Sequence, residues 1–201
     1  MDRPFFLLAL VVVYLVAAIP TGVVLTRLMG LEDVRSKGSG NIGATNVYRV
    51  AGKLPGILTL IGDILKGFLP LLAMKLWLAP TPMQLGLAGV VAIIGHCYPV
   101  YIRFRGGKGV ATTIGAAAAV DPLPLLGCAV LFLIVVGLTR YVSLGSMVAV
   151  TAFPFLALVL GRGTATVVWG AAIAALIVFR HRGNIGRLLA GSERKLGEKA
   201  S

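Results

Sequence analysis

Long apolar runs separated by short polar segments dominate this chain. Seven stretches are predicted to be membrane-spanning helices: 4–29, 54–78, 83–102, 110–121, 123–139, 142–160 and 164–180. Most of them contain the ~17–25 residues that a helix needs to cross the hydrocarbon core of a bilayer. The alternating pattern of a membrane β-barrel is absent from the sequence, and a helix satisfies its own backbone hydrogen bonds in lipid. We therefore expect a single all-α polytopic membrane domain over residues 1–201.

The fourth stretch, 110–121, is short for a membrane span. As a helix it would be ~18 Å long, whereas the hydrocarbon core is ~30 Å thick. If it crosses, the loops 30–53 and 103–109, Arg140 and the tail after residue 180 share one side, which then holds most of the 19 Lys and Arg residues. Cytoplasmic segments of membrane proteins are enriched in these residues. We therefore predict seven spans, with the N-terminus outside and the C-terminus cytoplasmic.

Composition and charge agree with a membrane protein. Hydrophobic residues make up 58% of the chain and charged residues 13%, and the mean hydropathy is +0.94. Asp2 and Arg3 cancel, so the first apolar stretch lacks the basic region of a signal peptide and is expected to be retained. The net charge of +12 is explained by basic cytoplasmic loops that meet anionic lipid headgroups. We expect membrane lipids as partners and no nucleic acid.

Three polar segments would share the cytoplasmic face, and the first covers 36–49. Its glycines fit G-x-G-x-x-G, but predicted spans flank it, whereas a dinucleotide site needs a strand before the motif and a βαβ unit around it. Glycines do let backbone N–H groups approach an anion closely. An ordinary polar loop is the alternative. The candidate phosphate ligands here are Ser39, Gly40, Asn41, Gly43, Thr45, Asn46 and Arg49.

The second polar segment, 103–113, contains the run RGGKG. A nucleotide P-loop requires Gly-Lys-Ser/Thr after a strand, but here Lys108 precedes Gly109, so nucleotide hydrolysis is not expected. The segment leads into the next predicted helix, whose free N–H groups favour negative charge. We predict that Lys108, together with Gly106, Gly107 and Gly109, binds an anion.

The third polar segment, 181–193, repeats the letters GNIG of 40–43. His181 stands between two arginines and has either a structural or a catalytic role, and Asn184 beside it favours a site. Glu193 is expected to pair with a nearby arginine rather than act as an acid.

Ionisable residues also occur inside the predicted spans. Asp63 and Lys66 lie one helical turn apart, which suggests a buried ion pair that supports the site. His96 is expected to be an interhelical hydrogen-bonding residue first and a site residue second. We therefore assign all three, with Glu193, to structural support.

Several kinds of catalytic site are excluded by the residue pattern. Neither histidine is followed by the H-x-x-x-x-D dyad of soluble-type glycerolipid acyltransferases, and no serine has an obvious histidine–acid partner. No Cys, His or carboxylate cluster has the spacing of a metal site. We expect a site rich in cations and amides, with no cofactor and no metal ion.

The three segments together resemble the bacterial acyl-phosphate:glycerol-3-phosphate acyltransferases, the PlsY family. The similarity is carried by SGNIGATNVYR at 39–49, GHCYPVYIRFRGGKGVAT at 95–112, HRGNIGRLLAGSE at 181–193 and DILKG at 63–67. Their order and spacing cover nearly the whole chain. The resemblance implies an integral enzyme of the bacterial inner membrane with its active site at the cytoplasmic face.

The resemblance also implies the reaction. An acyl group would pass from acyl phosphate to the 1-hydroxyl of glycerol 3-phosphate, which gives lysophosphatidic acid and inorganic phosphate without a metal. We expect Ser39, Lys108, His181 and Asn184 to be catalytic, with either His181 or a substrate phosphate taking the hydroxyl proton.

Three other functions stay open at this point. They are a phosphate-ester transporter, a non-catalytic scaffold and a CoA-dependent acyltransferase. Docking of the enzyme that makes acyl phosphate is a further expectation.

Overall fold

The computed structural model describes residues 3–198 as a bundle of helices, with no strand in that range. Residues 1–2 and 199–201 of the predicted domain lie outside the described part. The helices are α1 (Arg3–Ala17), α2 (Thr21–Leu28), α3 (Ala44–Ala51), α4 (Lys53–Trp77), α5 (Pro82–Cys97), α6 (Val110–Val120), α7 (Pro122–Thr139), α8 (Val142–Val159), α9 (Thr164–Arg180) and α10 (Arg182–Leu189). A 3₁₀ turn, Val100–Ile102, follows α5. The all-helical prediction is therefore confirmed.

Four helical segments are long and apolar enough to cross a membrane by themselves. They are α4, α5 with its 3₁₀ turn, α7 and α8, and the bent pairs α1–α2 and α9–α10 raise the count to six if each pair is one span. Helix α6 is apolar but shorter. The structure thus supports a membrane protein with four to six spans by length, and α6 decides whether a seventh exists.

A break in the first predicted span corrects the sequence analysis. The prediction of one span over 4–29 is wrong as a continuous helix, because α1 and α2 meet at an angle of 43°. Pro20 lies at the break, where it has no N–H to donate and its ring clashes with the carbonyl one turn earlier. The break exposes the backbone carbonyl of Ile19, which accepts a hydrogen bond from the Lys66 amine at 2.7 Å.

Lys66 belongs to a buried ion pair inside α4. Its amine lies 2.8 Å from the Asp63 carboxylate, and both side chains are less than a tenth exposed. An ionised side chain is costly to bury without a partner. Here the Lys66 amine is bound by the Asp63 carboxylate and by the Ile19 carbonyl. The arrangement fixes α4 against the bend between α1 and α2.

Helix α6 packs on α4 through glycines on both helices. A Cβ at Gly115 would lie 2.0 Å from the Ile64 carbonyl oxygen, and one at Gly67 would lie 2.3 Å from the Thr112 carbonyl oxygen. The two backbones therefore approach more closely than any side chain allows, as at small-residue contacts between membrane helices. This contact shields one side of the short helix α6.

The opposite end of α6 is held by an ion pair. The Arg162 guanidinium lies 2.8 Å from the Asp121 carboxylate, which joins the α6–α7 turn to the loop before α9. The other end of α6 begins directly after Gly109, so the helix is fixed at both ends.

The glycine contact predicts a selective effect on stability. Gly115→Ala should destabilise the protein by about 1–3 kcal/mol, because the added methyl group overpacks against the backbone of α4. Thermal unfolding of the purified protein in detergent measures the difference. Gly137→Ala is the matched control, since a Cβ at Gly137 in α7 meets no atom within 4 Å and alanine is the better helix former. Equal midpoints for the two variants would contradict the close approach of α4 and α6.

Candidate active site

The three polar segments meet at one end of the bundle. The Lys108 amine lies 2.5 Å from the Asn184 side-chain oxygen and donates a hydrogen bond to it. Asn184 in turn donates to the Glu193 carboxylate at 2.6 Å. The glycine-rich loop before α6 is thereby joined to helix α10 and to the segment after it.

Segment 36–49 is shaped by the amide of Asn46. Its side-chain oxygen accepts the N–H of Ser39 at 2.8 Å, and its nitrogen donates to the carbonyl groups of Val34 and Asn41 at 2.9 Å each. Asn46 is buried, and its side chain binds the backbone of the loop; its role as a phosphate ligand stays a prediction. The second half of this segment forms α3 rather than a loop.

Segment 103–113 is held against the end of α5. The N–H groups of Gly106 and Gly107 donate to the carbonyls of Cys97 and His96 at 3.2 and 3.1 Å. They cap free carbonyl groups at the end of α5, and a phosphate contact of these two residues stays a prediction. A Cβ at Gly107 would lie 2.0 Å from Nε2 of His96, so the loop rests directly on the imidazole ring.

A cleft of about 260 Å³ opens between these segments. Its lining is cationic and amide-rich: Ser39, Asn41, Lys108, Arg180, Arg182, Gly183, Asn184 and Arg187. The structure therefore brings together four of the predicted site residues, Ser39, Asn41, Lys108 and Asn184. The others are absent from the lining: Gly40, Gly43, Thr45, Asn46, Arg49, Gly106, Gly107, Gly109 and His181.

Sequence reasoning missed three arginines and one glycine of the lining. Arg180, Arg182, Gly183 and Arg187 all lie in or beside the third segment, so the clustering of arginines around GNIG was the available signal. Arg49 lies outside the lining and donates to the Arg194 carbonyl at 3.4 Å.

His181 is a buried residue at the bend between α9 and α10. Its Nδ1 lies 2.8 Å from the Ile177 carbonyl oxygen, and its own carbonyl accepts the N–H of Asn184 at 2.7 Å. Because a carbonyl can only accept, Nδ1 carries the proton in the neutral ring and Nε2 is left as an acceptor. The backbone of His181 thus contacts Asn184, while its ring is bound to the carbonyl of Ile177.

Glu193 holds the site together as a carboxylate. It accepts hydrogen bonds from Ser143 and Asn184 at 2.6 Å each and from Arg187 at 2.7 Å. Burial alone would raise the pKa of Glu193, but these hydrogen bonds lower that pKa below its usual value. An ionised carboxylate cannot donate a proton, so the geometry fits the predicted ion pair and not a general acid.

Lys108 carries its charge in a poorly hydrated position. Burial lowers the pKa of its amine to about 8, while the Glu193 carboxylate opposes the shift and the guanidinium groups of Arg187, Arg49 and Arg180 add to it. A charge with little water around it gains strongly from an incoming anion. The amine is therefore suited to bind a phosphate.

The remaining support residues lie behind the loop. His96 is buried, with Nδ1 3.7 Å from the Asp63 carboxylate, and its other nitrogen contacts Gly107. Between residues 3 and 198, no three His, Cys, Asp or Glu side chains lie close enough together to hold a metal ion.

Comparison with known proteins agrees with this geometry. The family model described as glycerol-3-phosphate acyltransferase matches residues 7–191. The chain is 52% identical to the glycerol-3-phosphate acyltransferase of Syntrophotalea carbinolica over 94% of this chain and 97% of that one. It is 47% identical to the glycerol-3-phosphate acyltransferase of Geobacter sulfurreducens over 92% of this chain and 94% of that one.

Two solved structures are similar over nearly their whole length. Both are crystal structures of PlsY (YgiH), an integral membrane glycerol 3-phosphate acyltransferase. The glycerol 3-phosphate form has a TM-score of 0.89 at 40% identity, with 96% of each chain covered. The lysophosphatidic acid form has a TM-score of 0.87 at 39% identity, with 96% of this chain and 95% of that one covered. The chain therefore belongs to the glycerol-3-phosphate acyltransferase family of PlsY.

Proposed function

We propose that this protein transfers a fatty acyl group from acyl phosphate to the 1-hydroxyl of sn-glycerol 3-phosphate. The products are lysophosphatidic acid and inorganic phosphate. The observation that carries the proposal is the contact of Lys108 with Asn184 in a cleft lined by four cationic side chains. Solved relatives described as glycerol 3-phosphate and lysophosphatidic acid forms support the acceptor and the product.

The cationic cleft solves an electrostatic problem of this reaction. A phosphate monoester carries a charge of about −1.5 to −2 at neutral pH, and the reaction brings two such anions together. Lys108, Arg180, Arg182 and Arg187 line the cleft proposed to receive them. Fixed cations in a site of low dielectric reduce the repulsion far more than water and salt would.

The chemical step needs no nucleophile from the protein, because acyl phosphate is an activated mixed anhydride. The hydroxyl oxygen of the acceptor forms a bond to the acyl carbon. The bond between that carbon and the phosphate oxygen breaks, and phosphate leaves with the bonding electrons. Holding the two substrates in this alignment can contribute ~7–11 kcal/mol to lowering the barrier.

The hydroxyl proton is passed to a substrate phosphate in this mechanism. Among the described residues that line the cleft, none is an Asp, Glu or His, while Glu193 is held as a carboxylate by three donors. His181 is buried outside the lining, with its Nδ1 bound to the carbonyl of Ile177. The proton therefore passes to a phosphate oxygen of the acyl phosphate as the bond to the acyl carbon breaks, and the departing phosphate leaves protonated.

A separate apolar groove suits the acyl chain of the donor. It has a volume of about 460 Å³ and lies between α8 and α9, lined by Met147, Val148, Thr151, Ala152, Phe155 and Val178. Helix α9 continues from Val178 to Arg180 at the cationic cleft. A donor whose chain occupies the groove in lipid would therefore present its phosphate head to the cations.

The proposed location is the inner membrane of a bacterium, with the cleft at the cytoplasmic face. Seven crossings, with α6 as the short one, place all three polar segments on that face. The positive charge of these segments supports this orientation, and glycerol 3-phosphate is supplied from the cytoplasm.

A comparison of acyl donors tests the reaction. Long-chain acyl phosphate, acyl-CoA and acyl-ACP are each offered to the purified protein with labelled glycerol 3-phosphate, and lysophosphatidate and phosphate are followed. We expect product from acyl phosphate alone, with equimolar release of phosphate. Turnover with acyl-CoA would contradict the donor assignment. Absence of product from every donor, with glycerol 3-phosphate still bound, would favour a transporter.

Cysteine labelling tests the orientation. Gly163→Cys lies in the loop between α8 and α9 and Ser192→Cys follows α10, and both positions are exposed, whereas native Cys97 and Cys128 are buried. A membrane-impermeant maleimide should label Cys at 163 in intact cells and Cys at 192 only after permeabilisation. Labelling of both positions in intact cells would mean that α9 does not cross the membrane. Labelling of position 192 in intact cells and of position 163 only after permeabilisation would mean that the topology is inverted.

A further inference from the structure

Arg180 makes the most extensive contacts with the glycine-rich loop of any cleft residue. Its guanidinium donates to the carbonyl of Gly106 at 3.0 Å and twice to the carbonyl of Gly107 at 2.9 and 3.1 Å. These two carbonyls belong to the residues directly before Lys108. A planar fork of donors matches two adjacent carbonyls in a way that a single ammonium group does not.

The arginine is itself held by an aromatic platform. Its guanidinium carbon lies 4.9 Å from the centroid of the Tyr98 ring, within the range of a cation–π contact. The Tyr98 carbonyl accepts the hydroxyl of Tyr14 in α1 at 2.8 Å. Arg180 therefore joins the end of α9 to residues of α1 and α5 that lie behind the loop.

The backbone before Lys108 is held on two sides, by the end of α5 and by Arg180. Gly106 and Gly107 lack side chains, and the N–H groups of both are bound to the end of α5. Gly109, on the other side of Lys108, has a φ of +87°, where the backbone turns sharply. The N–H groups before Lys108 are thus held by α5, and the carbonyls are held by Arg180.

We propose that Arg180 is a positioning residue: it clamps the peptides of Gly106 and Gly107 and so fixes the Lys108 amine where the substrate phosphate binds. The proposal rests on the proposed function, because it assigns to Lys108 the phosphate of glycerol 3-phosphate. Arg180 acts through Lys108 rather than as the main phosphate ligand.

The clamp also gives Arg180 influence over the charge of Lys108. The charged groups around this amine are Glu193 after α10, Arg187 in α10, Arg49 in α3 and Arg180 at the end of α9, and burial together with the three arginines lowers the pKa of Lys108 to about 8. Glutamine in place of Arg180 removes one positive neighbour and should raise that pKa. Lysine at the same position keeps the positive charge but lacks the planar guanidinium that donates to both glycine carbonyls.

The test is the affinity for glycerol 3-phosphate alone, measured by calorimetry on the purified full-length protein between pH 6.5 and 9.5. Wild type should bind most tightly at neutral pH and weaken as pH rises through about 8, because the Lys108 amine then loses its proton. R180K should bind about tenfold more weakly at pH 7 with the same alkaline midpoint, the scale of a lost charge-assisted hydrogen bond. R180Q should also bind weakly, with a midpoint at higher pH.

Two further variants separate positioning from direct binding and from misfolding. Tyr98→Leu removes the platform of Arg180 without touching the cleft lining, and it should weaken binding about threefold. Arg103→Lys, in the exposed part of the same loop, is the control that should bind as wild type does. Tyr98→Leu also decides the question if the Arg180 variants do not fold, as judged by thermal unfolding.

Three results would overturn the clamp. The first is wild-type affinity of R180K for glycerol 3-phosphate, and the second is an unchanged alkaline midpoint of binding in R180Q. The third is weak binding by R180K together with full affinity of Tyr98→Leu, which would make Arg180 a direct ligand. Failure of wild type to bind glycerol 3-phosphate would instead reject the proposed function.

Discussion

The site depends on the contact of one half-buried cation, Lys108, with one amide, Asn184. Lys108 donates to Asn184 at 2.5 Å, and Asn184 donates to a carboxylate, Glu193, that three donors keep ionised. A lysine amine with little water around it favours deprotonation, so this chain of hydrogen bonds gives its charge a fixed partner until a phosphate arrives. Because the two residues lie 76 positions apart in sequence, the contact requires the whole bundle to fold first.

The bundle is held together by close backbone contacts between helices rather than by a large aromatic core. Glycines let α4 and α6 approach, which places the start of α6 beside α5. Lys66, which is paired with Asp63, donates to the Ile19 carbonyl at the bend and so fixes α4 against the first two helices. In lipid, where apolar side chains gain little by leaving the solvent, such packing and internal hydrogen bonds are the main stabilising interactions.

Sequence reasoning found the helices and half of the cleft. Apolar runs of spanning length leave the backbone few alternatives in lipid, and glycines beside cations indicated Lys108 and Asn184. It missed the bend at Pro20, although a proline inside a helical stretch was an available signal. It could not find the clamp of Arg180, because that depends on which loop carbonyls a helix distant in sequence binds. Asn46 shows the same limit, because the sequence does not show whether a side-chain amide in a loop binds the substrate or the backbone.

A double-mutant cycle on Lys108 and Asn184 tests the central claim most directly. Each single alanine variant should lower kcat/KM by about 10²–10³-fold, the scale for one fixed donor at a developing charge. Since the account treats the two side chains as one unit, the double variant should be little worse than either single variant. Losses that multiply in the double variant, at unchanged thermal stability, would contradict it and make the two residues independent ligands.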